Sequence, residues 1–203
     1  MKEKTITEQE SLLLIQQMIQ IAKKEQKDSG SGWILFGWLL FAASTVTYLN
    51  LIFHWVDTFL FWNILGIASL LLLLFTVCNS IFKRKKKQVK TYTSDLFEKL
   101  NTGFFIFLSL IIISMNAGLP PLKGFAILLS LYGFWMLIYG ASMNFKPSIT
   151  GAYITWALAL AALFVNDFKW TMILHSVAIL AGFIIPGYIA KKEFEKLQKT
   201  EKD

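Results

Sequence analysis

Six stretches of the chain are continuously apolar: residues 33–53, 59–82, 103–119, 124–143, 147–165 and 170–190 contain no Asp, Glu, Lys or Arg. Each holds 17 to 24 residues. As an α-helix, a run of that length reaches across, or nearly across, the ~30 Å of hydrocarbon in a bilayer. The runs are too long and too continuous for the alternating strands of a transmembrane barrel, and a helix satisfies its own backbone where lipid offers no partner. The expected fold class is therefore all-α: a polytopic membrane protein, a bundle of six transmembrane helices over residues 33–190. A cytoplasmic segment, residues 1–32, precedes it and a charged tail, residues 191–203, follows it.

The polar segments carry a second pattern. In "TEQESLLLIQQMIQIAKKEQKDSGSG", Thr7 and Glu10 have capping-box spacing, and the glycines of "DSGSG" end the helix. At 100° per residue, Leu12, Leu14, Ile15, Met18 and Ile19 fall on one half of the wheel, with Gln16, Gln17, Gln20, Lys23 and Lys24 opposite. Such a helix must cover its apolar face. Glutamines and balanced charge, with no aromatic residue, favour protein over lipid as the cover, so these five residues are expected to bind a partner: this protein's own bundle, a second copy, or a cytoplasmic regulatory protein. After the basic cluster, Thr93 or Ser94 can cap a short helix ending before Gly103, and "KKEFEKLQKTEKD" is expected to prolong the sixth span as a solvated helix.

Charge orients the bundle. The second run holds fifteen Leu, Ile, Val and Phe residues, worth about 5 to 9 kcal/mol of insertion free energy, whereas drawing Lys83, Arg84, Lys85, Lys86 and Lys87 to the bilayer centre costs roughly 12 to 17 kcal/mol. The cluster stops the span near Phe82 and keeps that end in the cytoplasm, where it meets anionic headgroups. With six spans and both termini inside, 18 of the 20 Lys and Arg residues are cytoplasmic and only Lys123 and Lys169 are outside. If residues 103–119 did not cross, the division would be 14 to 6, which is a weaker asymmetry. The expected location is the bacterial inner membrane, with an uncleaved first span because no signal-peptide pattern precedes it. A cluster held at the bilayer surface is badly placed to follow a duplex, so direct nucleic-acid binding is not expected.

Composition agrees: 55% of the residues are apolar and 16% charged. Candidate chemistry is sparse. No Asp, Glu, Lys or Arg lies within the six runs, which argues against a charge-driven pump, and no zincin, nucleophile-elbow, Walker or dinucleotide motif is present. A non-enzymatic protein without a cofactor is expected. His54 and Asp57 in "HWVD", together with His175, are the only candidates for a metal or haem site, and they lack a tight ligand motif. Cys78 reads as apolar filler. Trp33, Trp55, Trp62 and Trp170 fit aromatic belts, while Trp38, Trp135 and Trp156 lie deeper. Gly151, Thr155 and Ala159, and likewise Ala178, Gly182 and Pro186, share the four-residue interval that lets helices approach closely.

The pairing of "ESLLLIQQMIQIAKKEQ" before the first span with "GYIAKKEFEK" after the last resembles uncharacterised small six-span integral membrane proteins of Bacteroidota-type bacteria. The resemblance implies the company of small winged-helix regulators, for which the N-terminal helix would be a docking element. Two functions follow as expectations. The first is an anchoring, sensory or regulatory component acting through that helix. The alternative is a small permease or lipid-handling protein using Tyr132, Tyr139, Asn63 and Asn116. A metal or haem protein, which needs His54 and His175 to converge, stands third.

Overall fold

A computed structural model of the chain describes residues 30–82 and 92–200. The expected partner-binding residues Leu12, Leu14, Ile15, Met18 and Ile19, and the headgroup cluster Lys83 to Lys87, lie outside the described residues. Every element described is helical: α1 (Ser31–Phe53), α2 (Leu60–Phe82), α3 (Tyr92–Asn116), α4 (Pro121–Ser142), α5 (Lys146–Phe164) and α6 (Phe168–Ile179), then a π-helical turn (Leu180–Ile184) and α7 (Ile185–Thr200). The last three stack end to end as one rod. Five helices are long and apolar enough to cross a membrane, within α1, α3, α4, α5 and the rod, and α2 contributes a shorter apolar helix over Leu60–Leu71. The chain is a multi-pass membrane protein.

The distribution of polarity is inverted relative to a protein in water. Phe164 is 78% exposed and Phe75 65%, while Ser44, Thr47, Ser148, Thr171 and His175 are fully buried. In water, exposing such large apolar side chains around the whole circumference would drive aggregation. In hydrocarbon the same arrangement costs nothing, and the polar groups turn inward to find partners.

Chemistry at the helix ends sets most boundaries. Pro121 occupies the first turn of α4, where its missing N–H is no loss. The Asp167 side chain caps the rod by accepting from Lys169 N at 2.9 Å. Gly30 precedes α1 with a φ of 68°, a left-handed conformation that glycine adopts without strain.

One expected boundary is corrected. The short helix expected to end before Gly103 and the third span expected to begin there are a single helix, Tyr92–Asn116. A mid-helix glycine costs only about 1 kcal/mol, too little to break a helix held by bonds on both sides. Thr102 Oγ1 bonds back to Glu98 O at 2.8 Å, within the helical ladder that runs through Gly103. The tail expected to prolong the sixth span does so, as α7.

Packing is tightest where small residues meet. α4 and α5 form an antiparallel hairpin in which Gly133 faces Trp156 and Gly140 faces Ile149. Trp156 Nε1 donates to Ser130 O at 3.0 Å and Ser148 Oγ to Met136 O at 2.8 Å, tying the pair together. Across from the hairpin, Gly151 lies against Ala181 and Gly182, and Gly182 against Met136 and Thr155. The two small-residue stripes read from the sequence are buried and form this seam. The π turn belongs to it too: Ile185 N–H reaches back five residues to Leu180 O, just before Pro186, which has no N–H to give. α1 runs against the rod, whereas α2 rests chiefly on α3 and touches α1 only thinly.

A Cβ on Gly151 would stand 2.9 Å from Ala181 O, a backbone atom that cannot swing aside, whereas one on Gly103 would meet nothing within 4 Å. Gly151→Val is therefore expected to destabilise the bundle by about 1–3 kcal/mol, and Gly103→Ala to stabilise it by about 0.5–1 kcal/mol. Unfolding in mixed micelles followed by tryptophan fluorescence checks both signs; equal losses at the two positions would contradict this packing.

Candidate functional site

Because α2 stands off from the bundle, a cavity of about 400 Å³ remains between α1, α2, α3 and α4. Phe36, Leu39 and Leu40 of α1, Leu65 and Gly66 of α2, Leu108, Ile111 and Ile112 of α3, and Phe125, Leu128 and Tyr132 of α4 form its walls. Asp57, Asn63 and Asn116 gather at one end, and Ser69 and Tyr132 are the polar residues farther along α2 and α4. From Asn116 to Leu108 the lining descends eight residues of α3, about 12 Å along the helix. The cavity is an apolar slot with a hydrogen-bonding mouth.

The mouth is built by local chemistry. Asn50, buried near the end of α1, grips the following loop twice: its Nδ2 donates to Val56 O at 2.8 Å and its Oδ1 accepts from Val56 N at 2.9 Å. His54 takes a φ of 55°, turning the chain out of the helix. Asp57 Oδ1 then accepts from Phe59 N at 2.9 Å, which starts α2 and fixes the carboxylate at the rim. Across the mouth, Asn116 Nδ2 donates to Ile112 O at 2.9 Å, so its amide nitrogen is held on its own helix.

Two contacts hold α2 beside the slot. Gly66 comes close to Ile112 of α3, where a Cβ would already touch at 3.4 Å. Trp62 Nε1 donates to Thr47 Oγ1 of α1 at 2.9 Å, and Thr47 donates in turn to Ala43 O at 2.7 Å. The Trp62 ring also lies edge-on to Phe125 at 4.6 Å and to His175 at 5.2 Å.

His175 sits behind that aromatic wall, fully buried, with Phe125 and Tyr132 at 5.6 and 6.0 Å. Its Nδ1 is 2.7 Å from Ser44 Oγ, which donates to Leu40 O at 2.7 Å. Both bonds form together only if Nδ1 carries the proton, giving a one-way chain from imidazole to hydroxyl to carbonyl. Nε2 is then a bare acceptor, and it has no hydrogen-bond partner.

His54 and Asp57 are exposed on the loop after α1, with His54 Nδ1 3.3 Å from Ile52 O, while His175 is fully buried. Among the described residues, no group of three or more His, Cys, Asp or Glu residues gathers where a metal could bind. Of the residues named for ligand handling, Tyr132, Asn63 and Asn116 line the cavity. Tyr139 instead packs on Trp33 and Phe97. Cys78 is exposed.

Trp62, Ser44 and Thr47 were not singled out as site residues by sequence reasoning. The available signal was a stripe in α1: Gly37, Leu40, Ser44, Thr47 and Asn50 recur every three or four residues and are all buried, so the small and polar residues of an otherwise apolar helix mark its inner face. No family model, curated protein or solved structure matches the chain.

Replacing Ser44 by Ala strands His175 Nδ1 in the bundle, at an expected cost of about 1–3 kcal/mol. In a His175→Phe background the same change should cost much less, since the stranded group is gone; a double-mutant cycle should give a coupling of about 0.5–3 kcal/mol. Strict additivity would show that the pair does not interact.

Proposed function

We propose that this protein is a lipid-handling protein of the bacterial inner membrane: it admits one amphiphile sideways from the bilayer into the slot between α1, α2, α3 and α4, and it performs no covalent chemistry. The carrying observation is the slot itself. Its ~400 Å³ falls within the 300–1,000 Å³ typical of small-molecule sites. Apolar walls suit a hydrocarbon chain, and the polar mouth suits a headgroup that stays near water. A permease for a polar solute would need many polar groups along the route, and beyond the mouth the lining supplies only Ser69 and Tyr132 among apolar side chains.

In this reading α2 makes a sixth crossing and both termini are cytoplasmic. The support is the 18-to-2 division of Lys and Arg, together with short connections between successive antiparallel helices. Asp57, Asn63 and Asn116 then face the outer leaflet, and Lys83 to Lys87 hold the inner end of α2 at the headgroups.

One observation favours a sensory use of the same site. α1 supplies part of the slot wall through Phe36, Leu39 and Leu40, and in the sequence it follows the segment expected to dock a partner or a second copy. Occupancy of the slot would thus bear directly on the helix that carries the regulatory segment.

The topology predicts cytoplasmic activity from a reporter fused after Asp203 and periplasmic activity from one inserted at Asp57. A tail reporting from the periplasm would remove the six-span arrangement. For the slot, native mass spectrometry of the purified protein should show one retained amphiphile per chain. Ala68→Trp, which places an indole in the cavity, should lose at least tenfold in occupancy while keeping the thermal stability of the parent. Unchanged retention in that variant would mean the amphiphile sits elsewhere.

A further inference from the structure

The mouth of the slot carries a charge preference. Among the lining residues there is one charged group, the Asp57 carboxylate, and no Lys or Arg. Both carboxamides there, Asn63 and Asn116, are neutral and can accept through their oxygens, and Asn116 spends one of its two amide hydrogens on Ile112 O. Immediately below stand the aromatic residues Phe59, Trp62 and Phe125. An anionic headgroup would find amide N–H groups but also a like charge, with no cation among the lining residues to offset it. A cationic one would meet a carboxylate, carbonyl oxygens and aromatic rings, the three kinds of group that attract ammonium.

We propose that the slot selects cation-headed amphiphiles: molecules with one apolar chain or ring system and an ammonium group, the chain lying along Leu65, Leu108 and Ile112 and the ammonium held between Asp57 and the Trp62–Phe125 wall. This rests on the reading of the slot as an amphiphile site and adds its headgroup class. The volume, about 400 Å³, suits a single chain better than a two-chain phospholipid. Asp57 is exposed at the rim, so its attraction is moderate and sensitive to salt.

The test uses the full chain in a neutral maltoside detergent, with radiolabelled dodecyltrimethylammonium and laurate as matched cationic and anionic probes. Dodecyltrimethylammonium should bind saturably, at least tenfold more tightly than laurate. Asp57→Asn keeps an oxygen to accept from Phe59 N and so preserves the loop; it should weaken the cation about fivefold, the ratio expected for one charge near the surface, and leave laurate unchanged or improved. Raising salt should weaken the cation in the parent and not in the variant. Equal binding of the two probes, or no response to Asp57→Asn, overturns the headgroup assignment. If both probes bind equally and Ala68→Trp abolishes both, only the assignment fails and the slot stands. If neither probe binds, and Ala68→Trp changes no retained amphiphile, the slot reading fails with it.

Discussion

Two helices surrounded by hydrocarbon gain nothing by hiding apolar surface from it, because the lipid tail is as good a neighbour as a leucine. What holds such helices together is close approach at small residues and hydrogen bonds that have no competitor. The hairpin of α4 and α5 and its seam with the rod have both: Gly133, Gly140, Gly151 and Gly182 at the contacts, and Ser148 and Trp156 bonding across. Among its described side chains, α2 has one glycine contact, at Gly66, and one side-chain bond to α1, from Trp62 to Thr47. The slot is a consequence of that difference. Beside these two fastenings α2 leaves a gap to its neighbours, and that gap is the cavity.

The polar groups inside the bundle follow the same constraint. Each of Ser44, Thr47 and Ser148 bonds to a carbonyl, and the first two also receive a side chain from another helix. Such interhelical bonds contribute on the order of 1 kcal/mol each, enough to fix how helices are rotated about their axes without dominating stability. Trp62 is where they meet the cavity. Its indole lines the slot, bonds to α1 and packs on His175 of the rod. Any occupant that displaces this ring must therefore disturb the contact between α2 and α1 and the surroundings of the buried imidazole together.

Much of this was legible in the sequence because depth in a membrane is a matter of counting. Span ends at Pro121, Asp167 and the linker glycine Gly30 fell close to where charge and turn residues put them. The seam of Gly151 and Gly182 showed as four-residue spacing. Rotation was harder to read. Trp62, near the end of its run, looked like an interfacial anchor, and depth alone could not say that its ring turns inward. The partner of His175 lies 131 residues away, yet Ser44 is nine residues from the C-terminal end of α1 and His175 seven from the start of α6, about 13 and 10 Å along a helix. Matching polar residues by depth would have paired them. The slot itself had no sequence signature, since it arises from contacts that α2 does not make. At Gly103 a weak local preference for a break lost to a continuous ladder of backbone bonds.

Charge acts with opposite sign at the two ends of the bundle on the proposed topology. At the inner end, cations from Lys83 onward draw anionic headgroups to the surface, where they hold the protein at its depth and stay outside the bundle. At the outer end the mouth of the slot presents Asp57 and carboxamide oxygens, with Lys123 and Lys169 as the only basic side chains on that side and neither among the lining residues. On that topology anionic lipids are attracted to the basic cluster and discouraged at the mouth of the slot. A site open sideways to a bilayer faces its commonest lipids at enormous local concentration, and charge at the rim is the simplest means by which a scarcer amphiphile could compete.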